Sequence, residues 1–160
     1  MPQHSVSLQF DDEAATSAFA ARLARRLEPG DTVLLEGEVG AGKTHLARSL
    51  IKSVLPVDED VPSPTFTLVQ VYDTSIGPIW HCDLYRLSSE FEIEELGLTE
   101  AFDDAICLVE WPDRLGQTAP INALSLALTS DTATDVRSAQ ASWSDDKWNT
   151  KLDWLAIVSA

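Results

Sequence analysis

One eight-residue stretch limits what this chain can become more than any other. Gly37-Glu38-Val39-Gly40-Ala41-Gly42-Lys43-Thr44 fits the pattern G-x-x-x-x-G-K-[ST] at every position. Glycines let the backbone curl so that successive N–H groups face inward around an anion. A helix starting at the end of the loop adds its positive N-terminal end. Lys43 carries a mobile cation suited to β- and γ-phosphates, and Thr44 offers a hydroxyl to Mg²⁺. A chain of this length would match the pattern by accident roughly once in a hundred cases or fewer.

The flanks supply the context that the loop needs. Thr32 to Glu36 is a short apolar strand running into it. The helix expected from Thr44 has Leu46, Leu50, Ile51 and Val54 on one face. Upstream, Val6, Leu8 and Phe10 alternate as in a half-buried strand. Asp11 or Asp12 then caps a helix with Phe19, Leu23 and Leu27 on its apolar face, stopped by Pro29 and Gly30. Downstream, Pro56 to Pro64 is an acidic, proline-marked loop. Thr65 to Tyr72 and Ile79 to Asp83 read as an antiparallel hairpin. Ser89 and Glu92 form a capping box for a short helix ending at Gly97. Ala105 to Glu110 is a continuous apolar run, the pattern of a strand covered on both faces. Asn122 to Thr129 and Val136 to Trp143 make a last strand pair. Ser144 caps a terminal helix bearing Trp148, Leu152 and Leu155. The expected fold is α/β, a P-loop NTPase fold: a single three-layer domain over residues 1–160, with a mixed, mostly parallel sheet and antiparallel additions.

Composition narrows the function classes. The net charge of −15 would repel phosphate backbones over most of the surface, and only Arg22, Arg25 and Arg26 cluster. Direct binding of DNA or RNA is therefore not expected. No apolar run reaches the roughly 18 residues of a membrane span. Met1 to Phe10 lacks the basic flank and apolar core of a signal peptide, so the expected location is cytoplasmic. Cys82 and Cys107 lie in apolar runs without CxxC spacing and read as reduced core residues. His4, His45 and His81 form no metal-ligand pattern.

A triphosphate needs a metal to offset its charge, and its hydrolysis needs a group that positions water. Acids at the ends of apolar strands are the usual source. Asp83 ends Ile79-Trp80-His81-Cys82-Asp83, and Glu110 ends Ala105-Ile106-Cys107-Leu108-Val109-Glu110. Either acid also fits a strand that simply surfaces there. Ser63-Pro64-Thr65-Phe66-Thr67 lies where P-loop proteins keep a segment that senses the γ-phosphate. The hydroxyls of Ser63, Thr65 and Thr67 are candidates for that role, and a plain proline turn fits the same residues.

Two rival classes leave partial traces. Thr150-Lys151-Leu152-Asp153 matches the [NT]KxD guanine reader of GTPases, but a polar stretch precedes it and only seven residues follow. Asp113-Arg114-Leu115-Gly116 matches DxxG, with its Asp after Pro112 instead of at a strand end. A small-molecule kinase would carry an arginine-rich lid, and beyond residue 60 only Arg86, Arg114 and Arg137 are present.

Four segments in order, GEVGAGKT (37–44), SPTFT (63–67), HCDLYRL (81–87) and EWPDR (110–114), resemble the small bacterial ATPase of tRNA threonylcarbamoyladenosine synthesis, the TsaE (YjeE-type) family. The resemblance implies a protein that binds ATP and Mg²⁺ and hydrolyses slowly alone. It would act with a TsaB–TsaD heterodimer that modifies the adenosine beside the tRNA anticodon, reaching tRNA only through those partners. Carried over, residues 38–44 hold the nucleotide and Lys43 binds phosphate. Thr44 and Glu110 are metal-associated, and Asp83 is a catalytic or metal-organising carboxylate. Thr65 belongs to the switch-like segment, Trp111 flanks the site, and Thr16 is a candidate adenine contact. His45 stands where the family often has a second threonine, and Arg137 is the only nearby C-terminal base for a nucleotide contact. Outside that family, a small GTPase-like protein or a nucleotide-gated binding module, with hydrolysis only a timer, remains the alternative.

Overall fold

A computed structural model describes residues 3–155, apart from 39, 90, 132 and 135. In chain order the elements are β1 (His4–Phe10), α1 (Glu13–Ala24), β2 (Thr32–Glu36), α2 (Lys43–Val54), β3 (Val69–Thr74), β4 (Gly77–Asp83), α3 (Phe91–Glu95), α4 (Leu98–Asp104), β5 (Ile106–Glu110), a 3-10 segment (Pro112–Thr118), β6 (Leu124–Ser130), β7 (Arg137–Trp143) and α5 (Lys147–Lys151). Among the described residues the strands form one sheet in the order β1-β7-β6-β2-β5-β4-β3. Its centre is parallel, with β2 between β5 and β6 and β4 beside β5. The outer pairings, β3 with β4 and β7 with β6 and β1, are antiparallel.

The apolar runs of β2 and β5 are buried because both of their faces are covered. Val33 and Leu35 pack into one cluster with Leu23 of α1 and Leu46, Leu50 and Ile51 of α2. Leu34, the residue between them, faces a second cluster with Ile93 of α3 and Leu98 and Phe102 of α4. β5 splits in the same way: Ile106 and Leu108 join the first cluster, and Cys107 and Val109 the second. This period of two is the sheet's own alternation, and it produces three layers. Burial pushes the Cys107 thiol up to about 12 and the Cys82 thiol well above its usual range, so neither is a nucleophile at neutral pH.

Asp12 caps α1, its carboxylate accepting from the Ala15 N–H at 2.8 Å. Several local expectations need correction. The strand expected from Thr65 begins only at Val69, because the Leu68 N–H folds back on the Pro64 carbonyl at 2.7 Å with Leu68 at φ 68°. The main capping partner of Glu92 is Ser88, whose backbone N–H and hydroxyl both donate to it, while Ser89 takes part through its backbone. The short helix stops at Gly97 as expected, α3 ending at Glu95, but the segment does not stay irregular after it. That glycine turns at φ 80° and a second helix, α4, follows. Ser144 is not the cap of α5; Asp146 holds that place, and the Ser144 hydroxyl lies 3.5 Å from the Ile121 carbonyl.

The terminal helix docks through Trp148, and Leu152 and Leu155, which the helix was expected to carry, join the same first cluster from beyond its end at Lys151. An ionic latch fixes it. Asp31, 2% exposed, takes Lys147 at 2.9 Å and Lys151 on its other oxygen, and the Glu28 N–H adds a third bond. The latch sits before β2, at the opposite end of that strand from the glycine loop. Lys151 and Asp153 of the apparent guanine reader are thus engaged far from the phosphate end, Asp153 by Arg26 at 2.9 Å. Asp31→Asn is expected to lower the unfolding free energy by about 2 kcal/mol in urea titrations. That is less than the roughly 3–5 kcal/mol typical of a broken buried pair, because both lysines reach water.

Candidate functional site

The parallel centre of the sheet brings three chain segments to one end. β2 runs into the glycine loop, β4 ends at Asp83, and β5 ends at Glu110, with Asp83 and Glu110 in register. Leu35 is also in register with Glu110, so the loop begins beside that acid. The result is a cleft of about 390 Å³ lined by Gly40, Gly42, Lys43, Thr44, Thr65, Asp83, Tyr85 and Trp111, with His45 at its side.

The loop is shaped around open space. A Cβ at Gly40, whose φ is 86°, would meet nothing within 4 Å. At Gly37 (φ 140°) a Cβ would sit 2.5 Å from the Leu128 carbonyl oxygen. The first glycine is therefore demanded by packing as well as by conformation, and the second leaves room beside the loop for a ligand. Glu38 and Gly40 are exposed, Ala41 is buried and its N–H donates to the Glu38 carbonyl, and Val39 lies outside the described residues.

Lys43 opens α2 and is 5% exposed. Its ammonium donates to the Gly37 carbonyl and lies 3.4 Å from the centroid of the Trp111 ring. Burial holds it below the ordinary lysine range, while Glu110, Asp83 and Asp113 pull the other way. Trp111 itself stands at φ 58°, directly after β5, with the Tyr85 ring 4.9 Å away.

Thr44 donates its hydroxyl to Glu110 Oε1 at 2.8 Å. The other oxygen, Oε2, is 2.7 Å from His81 Nε2, and both side chains are buried. Asp83, also buried, accepts from the Thr65 hydroxyl at 3.2 Å and from the Tyr85 N–H at 3.0 Å. Ser63 joins through Thr65 at 2.7 Å. Thr67 does not point inward with them; its hydroxyl accepts from Gln70 at 3.0 Å. Thr16 is buried with its hydroxyl 3.4 Å from the Asp12 carbonyl. It lines a smaller recess behind the loop together with Phe10, Ala41, Gly42, Leu128 and Arg137. The structure thus gathers Lys43, Thr44, Thr65, Asp83, Glu110 and Trp111 at one cleft and sets Thr16 at the adjoining recess.

Two groups in this assembly were not anticipated. His81 lies two residues before Asp83 and so on the same face of a buried strand, a placement that strand alternation alone would have indicated. Tyr85 enters through its backbone and its ring, for which the sequence carries no such signal.

The donor set fits a metal-bound triphosphate. A hydroxyl and a carboxylate oxygen meet at the head of α2, and a buried cation faces three acids beside an open glycine loop. A family model described as Threonylcarbamoyl adenosine biosynthesis protein TsaE matches residues 10–139. The chain belongs to the TsaE family. A Rickettsia felis relative named tRNA threonylcarbamoyladenosine biosynthesis protein TsaE is 45% identical over 106 residues, 66% of this chain and 62% of that protein. The alignment thus spans less than two thirds of that relative. The Streptomyces coelicolor protein of the same name is 38% identical over 136 residues, 81% of this chain and 90% of its own. The crystal structure of Bacillus subtilis YdiB shares the fold with a TM-score of 0.80 over 100% of this chain and 99% of its own, at 24% identity. The TsaE family match contains every strand-end acid and loop residue of the cleft.

The glycine geometry gives a direct test. Gly37→Ala is expected to lower stability by about 2 kcal/mol or more, since the added carbon meets backbone at a conformation that L residues avoid. Gly40→Ala, strained but unobstructed, should lower it by about 1 kcal/mol. Urea unfolding without nucleotide separates the two.

Proposed function

We propose that the protein is a Mg²⁺-dependent ATPase that supports threonylcarbamoyladenosine modification of tRNA, acting with a TsaB–TsaD-type heterodimer. The observation that carries the hydrolytic part is the Thr44–Glu110 hydrogen bond at 2.8 Å, which joins the loop threonine to a buried strand-end acid. The tRNA part comes from family membership and from the names of its relatives.

Residues 38–44 would surround the phosphates with backbone N–H groups, and Lys43 would leave the Gly37 carbonyl to meet the β- and γ-oxygens. Thr44 and Glu110 would hold Mg²⁺, which offsets phosphate charge when bound. Asp83 is fixed on both oxygens by Thr65 and Tyr85, leaving it oriented to order a water or the metal's hydration shell. Thr65 would connect that carboxylate to the Ser63–Thr67 segment, so a change at the γ-phosphate could move the segment. Trp111 covers Lys43 and would help to keep water from bound phosphates. The recess with Thr16 and Arg137 would receive the base end of the nucleotide. Catalysis in this scheme is positioning and charge stabilisation, with no covalent intermediate. No helix of the described residues is long and apolar enough to cross a membrane. A chain of net charge −15 would approach tRNA through partners, and such a protein would act in the cytoplasm.

With no added acceptor, ATP should be hydrolysed in preference to GTP; a hundredfold preference for GTP would sink the proposal. Lys43→Ala should reduce ATP hydrolysis by about a hundredfold or more. In Glu110→Ala the turnover should fall more than about tenfold while nucleotide affinity changes by less than about threefold. Single-turnover hydrolysis and nucleotide titration report the two quantities; an intact rate would move the catalytic role to Asp83.

A further inference from the structure

We infer that His81 is a positioning residue: its Nε2–H holds one oxygen of Glu110 so that the other faces Thr44 and the head of α2. The inference rests on the reading of Glu110 as a metal-associated acid.

The sequence pattern places the imidazole. Along β4, Ile79, His81 and Asp83 share one face, as do Ile106, Leu108 and Glu110 along β5. The parallel register pairs His81 with Leu108 and Asp83 with Glu110. His81 therefore reaches diagonally, beneath the strand ends, to the underside of Glu110. It arrives at Oε2 with 2.7 Å between heavy atoms, and Thr44 occupies Oε1. Glu110 is 2% exposed and His81 is not exposed at all.

The hydrogen bonding also assigns the tautomer. Nδ1 of His81 is buried and has no hydrogen-bond partner among the described residues. Any form with a proton on Nδ1 would bury an N–H that nothing accepts. With its only proton there, the ring would also turn the Nε2 lone pair toward a carboxylate oxygen. A bare Nδ1 is still an unpaired acceptor, so the 2.7 Å contact decides: only a proton on Nε2 gives the Glu110 oxygen a donor.

The consequence is a division of labour between the two carboxylates. Asp83 is held from the loop side, by Thr65 and the Tyr85 backbone. Glu110 is held from the core side, by His81. A carboxylate this deeply buried has few ways to lose its orientation once one oxygen is fixed. The single remaining oxygen is the one beside Thr44, which is where a cation would need it. Hydrogen-bond partners behind a metal ligand commonly alter metal affinity by about 10–100-fold when removed.

The test uses the full chain, saturating ADP and Mn²⁺ as the probe, with bound Mn²⁺ read by electron paramagnetic resonance. His81→Leu removes the donor; His81→Gln keeps an N–H at similar reach. His81→Leu should weaken Mn²⁺ by about 10–100-fold while ADP affinity in the absence of metal shifts less than about threefold. His81→Gln should recover Mn²⁺ affinity to within about threefold of the parent. A cooperatively melting His81→Leu protein with Mn²⁺ affinity within twofold of the parent would overturn the inference. So would equal losses in both variants, which would mark a packing role alone. The tautomer needs no variant: ¹⁵N spectra of the imidazole in the parent protein should show Nε2 protonated and Nδ1 bare, and a proton on Nδ1 overturns the assignment. If the parent fails to bind Mn²⁺ with ADP, the metal reading of Glu110 fails, and the spectra still decide how His81 meets that acid.

Discussion

The parallel pairing of β2, β4 and β5 is the constraint on which the site depends. Parallel strands deliver their ends to the same edge of a sheet, and these three end at Glu36, Asp83 and Glu110. Register does the fine placement. Asp83 stands opposite Glu110, and the residue before Glu36 stands opposite the same acid. A slip of one residue in β5 would turn Glu110 into the α3–α4 cluster and bring Val109 to the loop. That slip is opposed by five buried side chains, so the apolar core and the polar cleft are specified together.

Burial then gives the cleft its chemistry. Lys43, Asp83 and Glu110 are each at most 5% exposed, yet none is left without a polar contact. The lysine uses a backbone carbonyl and an aromatic face, neither of which neutralises it. The acids take hydroxyl, amide and imidazole donors, which orient them without a formal ion pair to Lys43. Direct pairing of Lys43 with Glu110 would have consumed the groups that a nucleotide and a metal need. The hydroxyl of Thr44 and the ring of His81 satisfy Glu110 without drawing Lys43 into a pair.

How much of this was legible depended on whether residues spoke through spacing or through contact. The loop, the covered strands and the two strand-end acids follow from patterns of one or two residues' period, and the sheet places them accordingly. The segment 64–68 could not be read so. Its Thr-Phe-Thr-Leu run has strand propensity, but a Pro64 carbonyl captures the Leu68 amide and the turn wins. The capping box slipped by one residue for a similar reason: Ser88 and Ser89 are alike in sequence, and only the approach to α3 distinguishes them. Gly97 ends the short helix as its sequence position indicates, but the helix α4 that starts straight after it carries no separate start signal. The three histidines are unclustered and form no ligand pattern, yet the position of His81 two residues before Asp83 puts it on the cleft face. The positive φ of Trp111, which sets its ring over Lys43, has no sequence signature at all.

The net charge of −15 looks at odds with a site for a polyanion, and the distances resolve the conflict. At physiological ionic strength, charges more than about 8 Å apart are largely screened. A nucleotide in the cleft would respond chiefly to what it touches: loop amides, the head of α2, Lys43, and a metal between Thr44 and Glu110. An RNA duplex is different, because its phosphates spread across tens of ångströms and each meets whatever surface lies beneath. Several of the described bases are already engaged by this chain's own groups. Lys147 and Lys151 are engaged by Asp31, Arg26 by Asp153, and Arg48 by the Val61 carbonyl. Local cationic chemistry within an acidic shell therefore favours a small phosphate ligand held in a pocket over a long one laid across a face. That is the physical reason for routing the proposed tRNA role through protein partners, whose surfaces must supply the positive charge that this chain keeps for its own loop.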